Sequence, residues 1–339
     1  MKIIIPMAGI GKRMRPHTAT VPKPLIPVAG KPIVQWLVEE IAEVAGEKIE
    51  EIAFVIGSFG HETEERLRSI GSKFGAKVNI YYQQRALGTA HAVFCAKESL
   101  NGRIIVAFAD TLFKAGFKLD RKAEAGIWVQ KVDDPGSFGV VRLNEKNIIT
   151  DFIEKPSESV SDLAIIGIYY FSEGQKLAKA LEYLINNKII VNGEYQLTDA
   201  LENMKNDGIV FRPGQVSEWL DCGNKNATLY TNRRILEHHR KEKLVSASAV
   251  LTDAVIVAPC YIGDHAIIEK SVVGPYVSVG DNTVIINSII RNSIIQNSSR
   301  LKDVNLDNSM IGNHVGISGI AGEVSIGDYS TIEQIPQKI

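Results

Sequence analysis

Long apolar runs are missing from this 339-residue sequence. No stretch approaches the roughly 20 consecutive apolar residues that cross a bilayer, and the opening Met1-Lys2-Ile3-Ile4-Ile5-Pro6 is too short for a signal peptide. An excess of charge is missing as well. Lys and Arg number 38 against 39 Asp and Glu, a formal charge of -1, which excludes the broad basic surface of a nucleic-acid binder or a polybasic membrane anchor. Cysteine is scarce: Cys95, Cys222 and Cys260 lie far apart, with no CxxC pair, so a secreted disulfide scaffold is excluded and a reducing compartment is expected. The seven histidines show no metal-ligand spacing, and no Ser/His/Asp order suggests covalent catalysis. The expectation is a cytoplasmic protein without nucleic-acid or membrane partners.

What is present is a chain that is 45% hydrophobic, long enough for an α/β core and a smaller second unit. Short β-branched runs at 2–5, 51–56, 78–82 and 103–109 alternate with helical patterns at 33–44, 62–70 and 89–97. That alternation predicts βαβ crossovers and a largely parallel sheet. Further strands are expected at 126–132, 139–143, 148–153 and 163–171, with helices at 175–185 and 196–205. A helix over 225–243 closes a first domain, residues 1–243.

From residue 244 the texture changes. Ile262-Gly263-Asp264, Val273-Gly274-Pro275, Val279-Gly280-Asp281, Ile311-Gly312-Asn313 and Ile326-Gly327-Asp328 recur between Ile/Val-rich and Asn/Ser-rich text. An apolar residue followed by Gly is the hexapeptide pattern of a parallel β-helix, in which the apolar side chain fills the interior and Gly is expected to allow the corner. A second domain, 244–339, of four or five coils is expected.

The first strand runs into Met7-Ala8-Gly9-Ile10-Gly11-Lys12-Arg13-Met14-Arg15-Pro16. Glycine lets backbone N–H groups approach phosphate oxygens, and Lys12, Arg13 and Arg15 supply charge. A dinucleotide fingerprint fails here because Met14 stands where its third Gly belongs and Pro16 stops the following helix. A Walker loop fails because Arg13, not Ser or Thr, follows Gly11-Lys12. Next comes Val21-Pro22-Lys23-Pro24-Leu25, in which Pro24 biases Lys23 toward extended geometry.

Ala8-Gly9-Ile10-Gly11-Lys12-Arg13-Met14-Arg15-Pro16 and Pro22-Lys23-Pro24-Leu25 together resemble the signature of the sugar-1-phosphate nucleotidyltransferase family. The resemblance continues through Gln83, Leu87-Gly88-Thr89-Ala90, Asp110, Phe138-Gly139-Val140, Glu154-Lys155-Pro156, Gly167, Gly193-Glu194 and Trp219-Leu220-Asp221-Cys222-Gly223. Asn224 departs from it, since many relatives have another small residue there. The resemblance implies an α/β Rossmann-like nucleotidyltransferase sandwich with a mixed, mostly parallel sheet, followed by a short left-handed parallel β-helix. It also implies a reaction between a nucleoside triphosphate and a sugar 1-phosphate that yields a nucleotide sugar and pyrophosphate.

The roles that the resemblance assigns are these. Ala8, Gly9, Gly11, Lys12 and Arg15 cradle the triphosphate, Lys23 contacts the reacting phosphates, and Gln83, Gly88 and Thr89 hold the nucleoside. Lys155 takes the sugar's phosphate, while Gly139, Glu154, Gly167 and Glu194 form the sugar pocket. Asp110 and Asp221 are the ligands of Mg²⁺, a cation satisfied by few protein oxygens plus water and phosphate. A Gln83 amide matches the N3–H and carbonyl edge of uracil or thymine, so dTTP or UTP with glucose 1-phosphate is expected, the activity of a thymidylyltransferase or uridylyltransferase. A helix N-cap is the ordinary alternative role for Asp110. The β-helix implies a homo-oligomer formed through the C-terminal domain. Two other readings stay open: a bifunctional nucleotidyl/acetyltransferase acting on an amino-sugar phosphate, and a noncatalytic nucleotide-sugar-sensing subunit.

Overall fold

The computed structural model describes residues 1–136, 138–156, 158 and 160–333. Residues 334–339 of the expected second domain lie outside the described residues. The chain forms two compact units: Met1–Gly9 with Gln35–Trp219, and Ile10–Val34 with Leu220–Ile339. The signature segment after Gly9 therefore packs with the C-terminal repeats in one unit.

In the first unit, strand Lys2–Pro6 is flanked in parallel by Glu51–Ile56 and Ile104–Ala107, and Lys77–Tyr82 extends the parallel side. The three central strands read as nearly unbroken apolar runs because both faces are covered; Ile3 to Ile5, Ile52 to Ile56 and Ile104 to Ala107 are all fully buried. Leu163–Phe171 enters antiparallel beside Ile104–Ala107 and also pairs with Ala125–Lys131 and Gly139–Leu143. Its register shifts between Ile165 and Tyr169, where Gly167 adopts φ +84. This bulge directs the Gly167 carbonyl to accept the Phe108 N–H at 3.0 Å. Ile149–Glu154 forms an edge against Gly139–Leu143, and Phe211–Gln215 runs parallel to Ala125–Lys131. Helix Gly174–Asn186 buries Leu177, Ala180, Leu181 and Leu184, one stripe at helical spacing.

In the second unit, three stacked sheets of short parallel strands build the hexapeptide domain. The sheet that starts with Val250–Thr252 has six strands, and the other two have five each. The expected four or five coils are thus five, with a sixth begun. Register stacks like on like: Ile268, Ile285, Leu301 and Ile317 in one column, Ile262, Val279, Ile295, Ile311 and Ile326 in another. These ladder side chains fill the interior and are nearly all inaccessible, each contributing about 1.5–3 kcal/mol through burial.

Gly274 adopts a positive φ, +114, as expected, but at the other repeats the reason for glycine differs from the sequence expectation. The left-handed corner falls two residues later, on His265, Asn282, His314 and Tyr329. Gly263, Gly280 and Gly312 are required instead by coil-to-coil distance. A Cβ there would stand 2.4, 2.3 and 2.3 Å from an Asp281, Asn297 or Asp328 side-chain oxygen of the next coil.

Two local expectations are corrected. Helix Lys225–His238 stops five residues before 243, in turns closed by His239, Arg240 and Glu242, because the run from 238 to 243 offers no apolar side chain to pack. Lys23 opens a 3₁₀ turn, Lys23–Leu25, instead of lying extended. Hydrogen bonds from Leu25 N to Pro22 O and from Ile26 N to Lys23 O close that turn, and Pro24 needs no donor in a first turn. The departing residue Asn224 has a structural role as the N-cap of Lys225–His238, its Oδ1 accepting from Ala227 N at 3.0 Å.

Candidate active site

Within the first unit, Met7 still bonds to the neighbouring strand, its N–H meeting Val55 O at 2.8 Å. Ala8 and Gly9 then leave the sheet, half-buried and exposed respectively. Gln83 follows strand Lys77–Tyr82. Its Nε2 lies 3.1 Å from Gly88 O and 3.1 Å from His91 Nδ1. Burial holds His91 below its ordinary pKa, so the neutral ring can accept from the amide. Gly88 has φ +108, and a Cβ on it would meet Tyr195 O at 2.4 Å; no other residue type fits this approach. Thr89 ties the same corner together, its Oγ1 accepting Leu197 N at 3.0 Å.

Beside this corner lies a cavity of about 190 Å³ lined by Thr89, Phe108, Phe138, Gly139, Glu154, Ile165, Gly167, Tyr169, Gln196, Leu197 and Thr198. It gathers Thr89, Gly139, Glu154 and Gly167, four of the expected site residues. Gly139 is close-packed: a Cβ there would meet Glu154 Oε2 at 3.1 Å and Ile165 Cδ1 at 3.4 Å. Glu154 Oε2 accepts from Thr198 Oγ1 at 3.3 Å. Burial raises the Glu154 carboxyl above its usual range, with the Lys155 charge and the Thr198 hydrogen bond opposing it. Lys155 does not line the cavity. It is exposed, has φ +41, and its Nζ is 3.8 Å from Glu154 Oε1. Glu194 lies outside the lining too, but its Oε2 accepts from Gln196 Nε2 at 3.4 Å.

Asp110 follows Ile104–Ala107, at the carboxyl end of a parallel strand where α/β sheets bind ligands. No helix begins there, since strand Thr111–Lys114 comes next, and the N-cap alternative is thereby excluded.

Within the second unit, Gly11 is left-handed at φ +59 and leads into the 3₁₀ turn Lys12–Met14. A Cβ on Gly11 would meet Thr18 Cγ2 at 3.0 Å and Lys23 Cβ at 3.2 Å, so the loop folds back and sets Gly11 against Lys23. Met14 is buried, whereas Lys12, Arg13 and Arg15 are exposed. Asp221 ends strand Glu218–Asp221, and its Oδ1 accepts Gly223 N at 3.0 Å. A Cβ on Gly223 would stand 2.9 Å from Asp221 Oδ2 and 3.1 Å from an Arg13 guanidinium nitrogen.

The donor chemistry fits Mg²⁺. Asp110, after a strand of the first unit, and Asp221, ending a strand in the second, each bring a carboxylate, a hard oxygen donor of the kind that Mg²⁺ accepts. Among the described residues no group of three or more His, Cys, Asp or Glu is placed to hold a metal ion by itself. No helix among the described residues is long and apolar enough to cross a membrane.

Sequence reasoning missed His91, Phe108, Tyr169, Gln196 and Thr198. Each sits in a strand, helix or turn whose pattern looks like ordinary core, and only the folded chain shows that they converge.

In the first unit, a carboxylate at a parallel strand end, Asp110, and a cavity that holds Glu154 mark the α/β sheet as that of a ligand-handling enzyme. The chain belongs to the nucleotidyl transferase family, whose model matches residues 2–238. It is similar to the low-salt glycan biosynthesis nucleotidyltransferase Agl11 of Haloferax volcanii, 32% identical over 84% of each chain. A glucose-1-phosphate thymidylyltransferase of Streptomyces antibioticus is 30% identical over 98% of this chain and 99% of that one. Among solved structures, a UDP-glucose pyrophosphorylase complexed with UDP-glucose superimposes with a TM-score of 0.57 at 26% identity, covering 70% of this chain and 98% of that chain.

Proposed function

We propose that this protein joins a sugar 1-phosphate to a nucleoside triphosphate and releases pyrophosphate, with dTTP or UTP as nucleotide and glucose 1-phosphate as the specific sugar substrate. The observation that carries this reading is the similarity, over nearly its whole length, to a glucose-1-phosphate thymidylyltransferase. The cavity that holds Thr89 and Glu154 supports it. Residues 1–243 are the catalytic domain in this reading and 244–339 the hexapeptide domain, through which subunits associate; the site of action is the cytoplasm.

A sugar phosphate oxygen is already ionised near neutral pH, its second pKa being about 6, so the reaction needs no general base. That oxygen forms a bond to the α-phosphorus while the bond to the β-phosphate bridging oxygen breaks, and pyrophosphate leaves with the electron pair. Ala8, Gly9, Gly11, Lys12 and Arg15 bind the triphosphate, and Lys23 neutralises the reacting phosphates. Gln83 commits its amide hydrogens to Gly88 O and His91 and turns Oε1 toward the N3–H of thymine or uracil. Glu154 accepts from sugar hydroxyls, helped by Glu194, Gly139 and Gly167 admit the ring, and Lys155 binds the sugar's phosphate. Asp110 and Asp221 would hold Mg²⁺, which supplies electrostatic stabilisation of the transferring phosphate.

Replacing Asp110 or Asp221 by Asn tests the assignment: each should lower kcat by about 10²–10³-fold with the fold intact. Either variant turning over at the wild-type rate would remove that residue from the site.

A further inference from the structure

One corner of the β-helix is held by a ladder of Asx side chains, each accepting the backbone N–H of the coil before it. Asp281 Oδ1 accepts Asp264 N at 2.8 Å, Asn297 Oδ1 accepts Asp281 N at 3.0 Å, Asn313 Oδ1 accepts Asn297 N at 3.1 Å, and Asp328 Oδ1 accepts Asn313 N at 2.7 Å. At Gly263, Gly280 and Gly312 the ladder oxygen of the next coil leaves no room for a Cβ before the Asx residue, whereas Gln296 precedes Asn297. The final repeat, Gly327-Asp328, keeps the motif, and among the described residues no coil follows it on this sheet.

The space that a next coil would fill is taken by the signature loop. A Cβ on Gly327 would meet Pro16 Cβ at 2.9 Å and Pro16 O at 3.4 Å. The second oxygen of Asp328, Oδ2, accepts from Thr20 Oγ1 at 2.6 Å. Between these two contacts His17 is buried, its Nε2 3.1 Å from Ser325 Oγ. The same last coils grip the segment after Asp221: Lys225 Nζ pairs with Glu323 and donates to Asn308 O at 3.0 Å.

We propose that residues 16–20 are the terminal cap of the β-helix, and that its last coil, through Gly327 and Asp328, positions the loop that binds the triphosphate. The inference rests on the function proposed above. Thr18 lies between the two docked residues, and its Oγ1 donates to Gly11 O at 2.8 Å. Its methyl carbon and Lys23 Cβ are the atoms nearest to the Gly11 α-carbon's open side. Any displacement of 16–20 is therefore handed to Gly11 and Lys23. Asp328, Gly327 and Thr20 are positioning residues; none touches substrate.

The test is steady-state kinetics on full-length Thr20→Val, Thr20→Ser and Gly327→Val, varying each substrate. Losing a hydrogen bond to a carboxylate should raise the KM for the nucleoside triphosphate about fivefold or more in Thr20→Val. The KM for the sugar phosphate and the melting temperature should stay close to wild type. Thr20→Ser should restore the nucleotide KM, and Gly327→Val should raise it further by forcing Pro16 away. Wild-type kinetics in Thr20→Val and Gly327→Val, or a uniform loss that tracks melting temperature and is not rescued by Ser, would overturn the inference alone. No turnover by the wild-type protein would instead overturn the proposed function, and the inference with it.

Discussion

Gly139→Ala isolates the sugar end of the site. Gly139 opens strand Gly139–Leu143, and its backbone is outside the left-handed region, so alanine imposes no backbone strain. The new methyl group would lie 3.1 Å from Glu154 Oε2, 3.4 Å from Ile165 Cδ1 and 3.5 Å from Thr198 Cγ2. The carboxylate must yield by a few tenths of an ångström, and the methyl takes part of a cavity of about 190 Å³. Crowding of this kind costs about 1–3 kcal/mol, and alanine in a strand recovers roughly 0.5–1 kcal/mol over glycine in the free protein, so the melting temperature should fall by a few degrees at most. Bound sugar meets the crowding directly, and about 1.4 kcal/mol there is a tenfold rise in KM. Initial rates with each substrate varied in turn should show the KM for sugar phosphate up by about tenfold and that for nucleotide unchanged. An unchanged sugar-phosphate KM, or equal rises in both, would refute the assignment of the cavity.

The other predictions concern charge and base recognition. Burial lowers His17 to a pKa of about 4, with the Asp328 charge opposing and the Lys225 charge reinforcing. The unfolded chain thus binds this proton more tightly, so the stability from neutral His17 is complete above its ordinary value of 6.5 and is lost as pH falls toward 4. That difference is worth about 3 kcal/mol; urea melts across this range should show a shallower acid loss in His17→Gln than in wild type. Glu154 has its carboxyl raised by burial, so ionised Glu154 costs stability above the ordinary carboxylate range and nothing below it. Glu154→Gln should therefore melt higher than wild type at neutral pH, with the advantage gone in acid, while turnover falls. Gln83→Glu cannot donate to Gly88 O and sets a carboxylate against that carbonyl, which displaces the oxygen that accepts the N3–H of thymine or uracil; kcat/KM for dTTP and UTP should fall about 10–100-fold.

Much of the fold was legible because burial on both faces writes itself as continuous apolar runs, as in Ile3-Ile4-Ile5 and Ile52 to Ile56. The hexapeptide register was legible for the same reason, one buried residue per face. Long-range packing was not. Asn232, fully buried, accepts from Ala29 N at 2.8 Å and from Ser278 Oγ at 2.7 Å, and Gly30 leaves room for the Tyr261 ring, 2.2 Å from where a Cβ would stand. No spacing in the sequence links 29–30 to 261 or 278, yet such contacts put the signature segment and the repeats in one unit. In the site, glycines and carboxylates after strands announced themselves through unusual residue types. His91, Thr198 and Tyr169 did not, because each also suits an ordinary helix or strand packed on the core.

The central claim is transfer of a nucleotidyl group to a sugar phosphate. Incubating the full chain with glucose 1-phosphate, Mg²⁺ and dTTP or UTP labelled at the α-phosphorus tests it most directly. The account predicts that the label moves into a nucleotide sugar, with unlabelled pyrophosphate formed in equal amount and only when both substrates are present. Label retained in the triphosphate, or released as nucleoside monophosphate without sugar, would contradict it.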